Sequence, residues 1–208
     1  MHDITLLRER AAHRGKRLEY FTIAWNTLEG IIAIVAGGLA NSISLVGFGI
    51  DSFIEVTSGS ALLWRMMVDR DEVKRERNER LSLKILGGCF LGLSAYIGYE
   101  SISDLVLRKP PERSIPGIIL ACVSLIAMPL LSHAKKRVGK ELSSAAMHAD
   151  ARQTEFCFYL SVILLVGLLL NATLGWWWAD PVAGLSMVPI IVKEGIDALK
   201  GRTCCDSC

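Results

Sequence analysis

Asn41-Ser-Ile-Ser-Leu-Val-Gly-Phe-Gly-Ile-Asp51-Ser-Phe-Ile-Glu55-Val-Thr-Ser-Gly-Ser-Ala-Leu-Leu-Trp64 is an apolar stretch of helical length that carries two acids. Asp51 and Glu55 stand i, i+4, so both carboxyls share one helix face. Two carboxylates in hydrocarbon are costly unless something cationic offsets them. A metal ion or shared protons would do so. The pair therefore points to a membrane bundle that handles cations rather than to a generic one.

The rest of the chain supports a membrane setting. Of its 208 residues, 51% are hydrophobic, and the mean hydropathy is +0.39. The apolar residues come in six blocks, near 20–39, 43–66, 83–106, 115–132, 145–170 and 177–197. Each is close to the roughly 20 residues that cross a bilayer. The expected fold is all-α, a polytopic membrane protein of six transmembrane helices. It divides into an N-terminal segment over 1–19, a membrane domain over 20–200 and a Cys-rich tail over 201–208, which leaves no room for a sizeable soluble domain. The first block follows a charged segment and lacks a signal peptide's short apolar region and cleavage site, so it reads as a retained span.

Lysine and arginine placement sets the expected orientation. One side collects Arg8, Arg10, Arg14, Lys16 and Arg17, then Arg65 to Lys84, then Lys135, Lys136, Arg137 and Lys140, and finally Lys193, Lys200 and Arg202. The other side has Arg108, Lys109 and Arg113. Both termini are thus expected in the cytoplasm. The basic residues read as loop anchors, and no nucleic-acid partner is expected from a net charge of +2. Cys89, Cys122 and Cys157 fall within spans, and Cys204, Cys205 and Cys208 lie in a tail expected to be reducing, so the cysteines do not form a disulfide framework.

The segment around Gly37-Gly38-Leu-Ala-Asn-Ser42 predicts a tight helical hairpin between spans one and two. Lys109-Pro-Pro-Glu-Arg-Ser-Ile-Pro116 separates spans three and four, because proline cannot continue a helix. Asp69 to Lys84 mixes both charges densely and predicts a helical extension outside the membrane. Trp176-Trp177-Trp178 falls between spans five and six, where indoles favour the interface. Pro189 is placed to kink span six. No internal repeat is visible.

Span five holds a second polar constellation, His148-Ala-Asp150-Ala-Arg152-Gln153-Thr-Glu155-Phe-Cys157. Asp150, Gln153 and Cys157 form one stripe, and His148, Arg152 and Glu155 form another on nearly the opposite side. Only one of them can face Asp51 and Glu55, and the spacing leaves the choice open. Span one adds Asn26 and Glu29 one turn apart, and span three adds Glu100 and Asp104.

In these residues the chain resembles the cation diffusion facilitators, over about 20 to 200. Ser44-Leu-Val-Gly-Phe-Gly-Ile-Asp51-Ser-Phe-Ile-Glu55 is similar to the family's metal-binding second span. Tyr99-Glu100 with Pro110 resembles its third-span ending, Ser144-Ala-Ala-Met-His-Ala-Asp150-Ala its approach to span five, and Ala179-Asp180-Pro181 its sixth-span start. The resemblance implies a tetrahedral site of Asp51, Glu55, Gln153 and Cys157. It implies exchange of a divalent metal for protons. Two departures stand out. Gln153 and Cys157 replace the usual His and Asp, and the soluble C-terminal metal-sensing domain has no counterpart here.

The donor set is chemically coherent. Zinc takes carboxylate oxygen and thiolate sulfur in tetrahedral sites. A thiolate disfavours magnesium and calcium relative to zinc, cadmium or ferrous iron. Metal binding to protonated acids and a thiol releases protons, which is a physical basis for exchange.

Each sharp reading has a plainer rival. Asp51 and Glu55 could instead be paired with Arg152 or with hydroxyls, and Cys157 could be an apolar filler. Glu29, Asn26, His148 and Asp150 are candidates to support the site or line its approach. Their rivals are helix–helix hydrogen bonding, a solvated surface histidine and a carboxylate favoured at a helix start. Cys204, Cys205 and Cys208 are candidate tail ligands, with a disordered tail as the rival.

The expectation is a secondary transporter, not an enzyme, with no resident cofactor. It exports a divalent transition metal from the cytoplasm in exchange for protons, with zinc first and iron, manganese or cadmium as other candidates. It is expected to be a multi-pass homodimer of the plasma (inner) membrane. The alternative is a non-transporting metal sensor, or a partner subunit of another transporter.

Overall fold

The computed structural model describes residues 2–67, 72–142 and 144–200. The tail cysteines Cys204, Cys205 and Cys208 and residues 69–71 of the charged segment lie outside the described residues. Six helices follow one another: α1 (His2–Ala40), α2 (Ile43–Met67), α3 (Glu72–Leu107), α4 (Ile115–Leu142), α5 (Ala145–Leu174) and α6 (Ala179–Leu199). The six expected spans fall on them in order. Helices α1, α3 and α4 run well beyond the apolar blocks at the basic end.

Each break has a local cause. The α1–α2 hairpin is tighter than the glycines suggest, for α1 continues through Gly37 and Gly38. The helix stops at Asn41, in the left-handed region at φ 51°. The N–H groups of Ser42 and Asn41 return to the carbonyls of Gly37 and Gly38, a Schellman closure with asparagine in glycine's usual place. Between α3 and α4 the proline-rich loop is tied down twice. The Glu112 N–H donates to the Ala40 carbonyl at 2.7 Å, and the Asn171 amide donates to the Pro111 carbonyl at 3.2 Å. Helix α5 starts under a Ser144 cap that accepts from the Met147 N–H, and ends at left-handed Gly175. Trp176 and Trp178 stack at 4.9 Å between α5 and α6.

The principal helix pairs are α1 with α2, α3 with α6 and α4 with α5, and α2 also touches α3, α5 and α6. Leu45, Phe48, Ile97, Met128, Leu164 and Met187 fill the centre. The surface is apolar too: Leu28, Ile31, Val35, Ile126, Leu130 and Val166 are all exposed, while Glu19, Asn26, Glu29, Ser124, Ser132 and Thr154 are buried. Apolar outside and polar inside is the arrangement of a bundle whose solvent is lipid. Arg10–Ala40, Ile115–Leu142 and Asp150–Leu174 are long and apolar enough to cross a membrane. Helices α2, α3 and α6 are no less than 21 residues long, about 30 Å at the helical rise.

Small residues set the α3–α6 crossing. A Cβ on Gly87 would stand 2.7 Å from the Gly195 carbonyl oxygen. Backbone against backbone leaves no room to yield. Gly87→Val is expected to destabilise the protein by about 2–3 kcal/mol through overpacking, seen as a lowered thermal midpoint in detergent. Gly88→Val, a step away where a Cβ would meet nothing within 4 Å, is expected to leave the midpoint almost unchanged.

Candidate metal-binding site

Asp51 and Glu55 are both buried, on the face of α2 turned to α5. Helix α5 answers with Asp150, Thr154, Cys157 and Ser161, a buried stripe at i, i+4, i+7 and i+11. The Thr154 hydroxyl donates to Glu55 Oε1 at 2.7 Å. The Cys157 thiol is buried close enough to the Asp51 and Glu55 carboxyls to act on both.

The ambiguity of span five is thereby resolved. The Asp150–Cys157 face turns inward, Arg152 is exposed, and Glu155 pairs with Lys136. Arg152 is therefore not the partner of the acid pair. Gln153 sits at the margin of the inward stripe. It is partly buried, and its Nε2 has no hydrogen-bond partner among the described residues. His148 packs against Gly139 of α4, where an added Cβ would meet its ring at 3.3 Å. Among the described residues, no three His, Cys, Asp or Glu side chains are grouped so as to hold an ion as they stand.

Glu29 and Asn26 are both buried on α1. Glu29 accepts from Ser52 of α2 at 3.2 Å and from Ser124 of α4. It is near enough to Asp51, Glu55 and Cys157 to act on their charge. Asn26 makes no side-chain hydrogen bond among the described residues.

Toward the basic end lies a group that the spacing of residues did not reveal. Lys135, assigned to a loop by its charge, is instead wholly buried within α4. Its ammonium is bound by Asp150 of α5 and stands 3.6 Å from Glu19 of α1. A signal was present: Ser124, Met128, Ser132 and Lys135 share one face of α4, and Glu19, Thr22, Asn26 and Glu29 share one face of α1. Basic residues near a span end read as anchors, and that rule concealed the lysine. At the opposite end, Asp180 of α6 is buried and accepts from the hydroxyls of Ser42, at 2.6 Å, and Ser44. The amides of Ile43 and Ser44 lie beside the same carboxyl. The Ser42 hydroxyl accepts the Leu45 N–H at 3.3 Å and so caps α2, and Asp180 holds that cap from another helix, a role that its place in the sequence does not suggest.

A buried acid pair facing a thiol inside a six-helix membrane bundle defines a class, the cation-handling membrane proteins. Residues 20–201 match the cation efflux transmembrane domain, and the chain belongs to the cation efflux, or cation diffusion facilitator, family. It is similar to an uncharacterized transporter of Methanocaldococcus jannaschii, 28% identical over 85% of this chain and 64% of the relative. Transmembrane protein 163 of Xenopus laevis is 29% identical over 92% of this chain and 69% of the relative. A cadmium, cobalt and zinc/H(+)-K(+) antiporter of Bacillus subtilis is 24% identical over 60% of this chain and 40% of the relative. The chain thus spans about two thirds or less of the length of these relatives.

Proposed function

We propose that the protein carries a divalent transition-metal cation across the membrane in exchange for protons. Asp51 and Glu55 bind the ion, Cys157 supplies a soft third ligand, and the Gln153 amide completes the shell after a side-chain rotation. The observation that carries this reading is the burial of Asp51 and Glu55 beside Cys157, with the nearest buried cation, Lys135, bound to Glu19 and Asp150 instead. Two acids and a thiol in hydrocarbon are tolerable when protonated, and also when a 2+ ion replaces the protons. That equivalence is the core of an exchanger. Membership of the cation efflux family supports the transported class, and the activity for which the Bacillus relative is named supports zinc, cadmium or cobalt with proton coupling.

The orientation follows from charge. Arg14 bonds Glu141 at 2.5 Å, so the basic ends of α1 and α4 meet on one side of the bundle. By the positive-inside rule that side is cytoplasmic, and the direction is export across the plasma membrane. A homodimer would pair exposed apolar helix faces.

The test is proton flux driven by zinc, cadmium, cobalt, iron or manganese in proteoliposomes. Flux with at least one metal is expected in the wild type, and a loss of at least about tenfold in Asp51→Ala. A folded protein that binds metal yet supports no flux would overturn the transport reading in favour of a sensor or partner subunit.

A further inference from the structure

Among the described residues, Lys135 is the one buried basic side chain. It lies about 9 Å along α4 from Glu141, whose carboxylate meets Arg14 at the basic end. Lys135 therefore sits between that surface ion pair and the Asp51/Glu55 site. Its surroundings are those of a cation site. Glu19 and Asp150 are buried carboxylates on two different helices, α1 and α5. Glu19 Oε2 faces the ammonium at 3.6 Å. Neither Glu19 oxygen accepts a hydrogen bond among the described residues, nor does Asp150 Oδ1. Gly59 of α2, one turn from Glu55, leaves space for the Glu19 carboxylate, and a Cβ there would come within 3.1 Å of Oε2. The ammonium also donates to the Thr154 hydroxyl at 3.4 Å, and that hydroxyl donates to Glu55. One oxygen atom thus separates Lys135 from the acid pair.

A lysine ammonium is a compact charge on a flexible stem, and a buried ion pair contributes little net stability compared with a packed apolar cluster. A function for the charge accounts for its place better than stability does. We propose that Lys135 is a resident counter-cation that occupies a divalent-metal site formed by Glu19 and Asp150. A metal ion passing between the basic end and Asp51/Glu55 displaces the ammonium and is held there in transit. The carboxylates of Glu19 and Asp150 then never stand bare in the bundle, and the path stays shut by an ion pair until a stronger cation arrives. This inference rests on the metal reading of Asp51 and Glu55.

Two measurements on the purified full chain test it. The first counts bound Zn2+ per chain by equilibrium dialysis. Lys135→Gln is expected to bind one more ion than the wild type, Glu19→Gln/Lys135→Gln is expected to lose it, and Asp51→Asn/Lys135→Gln is expected to keep it. The second uses Glu19→Gln alone, which retains the Lys135–Asp150 pair and so keeps a charge-balanced interior. Zn2+ should equilibrate with the Asp51/Glu55 site at least about tenfold more slowly in this variant, with unchanged equilibrium affinity. A folded Lys135→Gln protein with the wild-type count sinks the proposal, as does an unchanged rate in Glu19→Gln. If Asp51→Asn in the wild-type background loses no ion, it is the underlying metal reading that fails.

Discussion

Cys157→Ser is expected to weaken cadmium binding by at least about tenfold while altering manganese binding far less. The thiol is buried near Asp51 and Glu55 and is the one soft donor in the proposed shell. Soft thiolate ligands select zinc and cadmium over hard, oxygen-preferring ions. A serine hydroxyl occupies almost the same space, so the fold is not disturbed, and it keeps a polar group near the two carboxyls. The prediction is read by competition titration of Cd2+ against Mn2+ on the purified protein. Equal weakening of both ions would mean that Cys157 shapes the cavity without touching the metal. Unchanged binding of both would make it an apolar filler. Cys122→Ser, at an exposed position on α4, is the control and should leave both affinities in place.

Asp180→Ala is expected to lower stability by about 3 kcal/mol, the largest single loss outside the metal path. The carboxylate takes hydroxyl hydrogen bonds from Ser42 and Ser44 and lies against the first two amides of α2. Hydrogen bonds to a charged group contribute about 1.5–3 kcal/mol each, and loosening the Ser42 cap that Asp180 holds costs up to about 1 kcal/mol. These losses overlap, since one group makes all the contacts. The Ser42 and Ser44 hydroxyls would remain buried, and in a bilayer no water replaces the lost acceptor. Because Asp180 fixes the end of the helix that carries Asp51 and Glu55, metal affinity should fall as well, more weakly than for a ligand. Thermal midpoints in detergent check the first effect. Asp180→Asn should recover part of it, since the amide oxygen still accepts while the charge is gone. An unchanged midpoint in Asp180→Ala would show that the two hydroxyls find other partners.

Helix positions were legible in the sequence because the bilayer demands long apolar runs, and because Pro110, Pro111 and Pro116 punctuate the chain. All six helices form where the apolar blocks lie. Their full lengths were not legible: α1 and α4 continue into charged sequence, since hydropathy registers lipid contact rather than helicity. The acid pair on α2 was visible because two carboxyls at i, i+4 are too costly in an apolar run to persist without a cation or protons to neutralise them. Thr154 was passed over between louder neighbours, as a threonine is common in any helix.

Lys135 shows the limit most clearly. In one dimension a lysine at the edge of a span, beside Lys136 and Arg137, has the pattern of an anchor. Only packing α4 against α1 and α5 reveals that Lys136 reaches a half-exposed Glu155, while Lys135, one residue earlier, turns inward to Glu19 and Asp150. A rotation of about 100° per residue separates the two fates. The membrane class, the six helices and the acidic pair were all readable from the chain alone, because they rest on local composition and on spacing within one helix. Helix packing settled the rest: which face of α5 meets that pair, that Asp180 holds the Ser42 cap of a helix far from it in the chain, and that a lysine balances the buried carboxylates. Each of these is a contact between different helices, and its energy depends on distances that no single segment encodes.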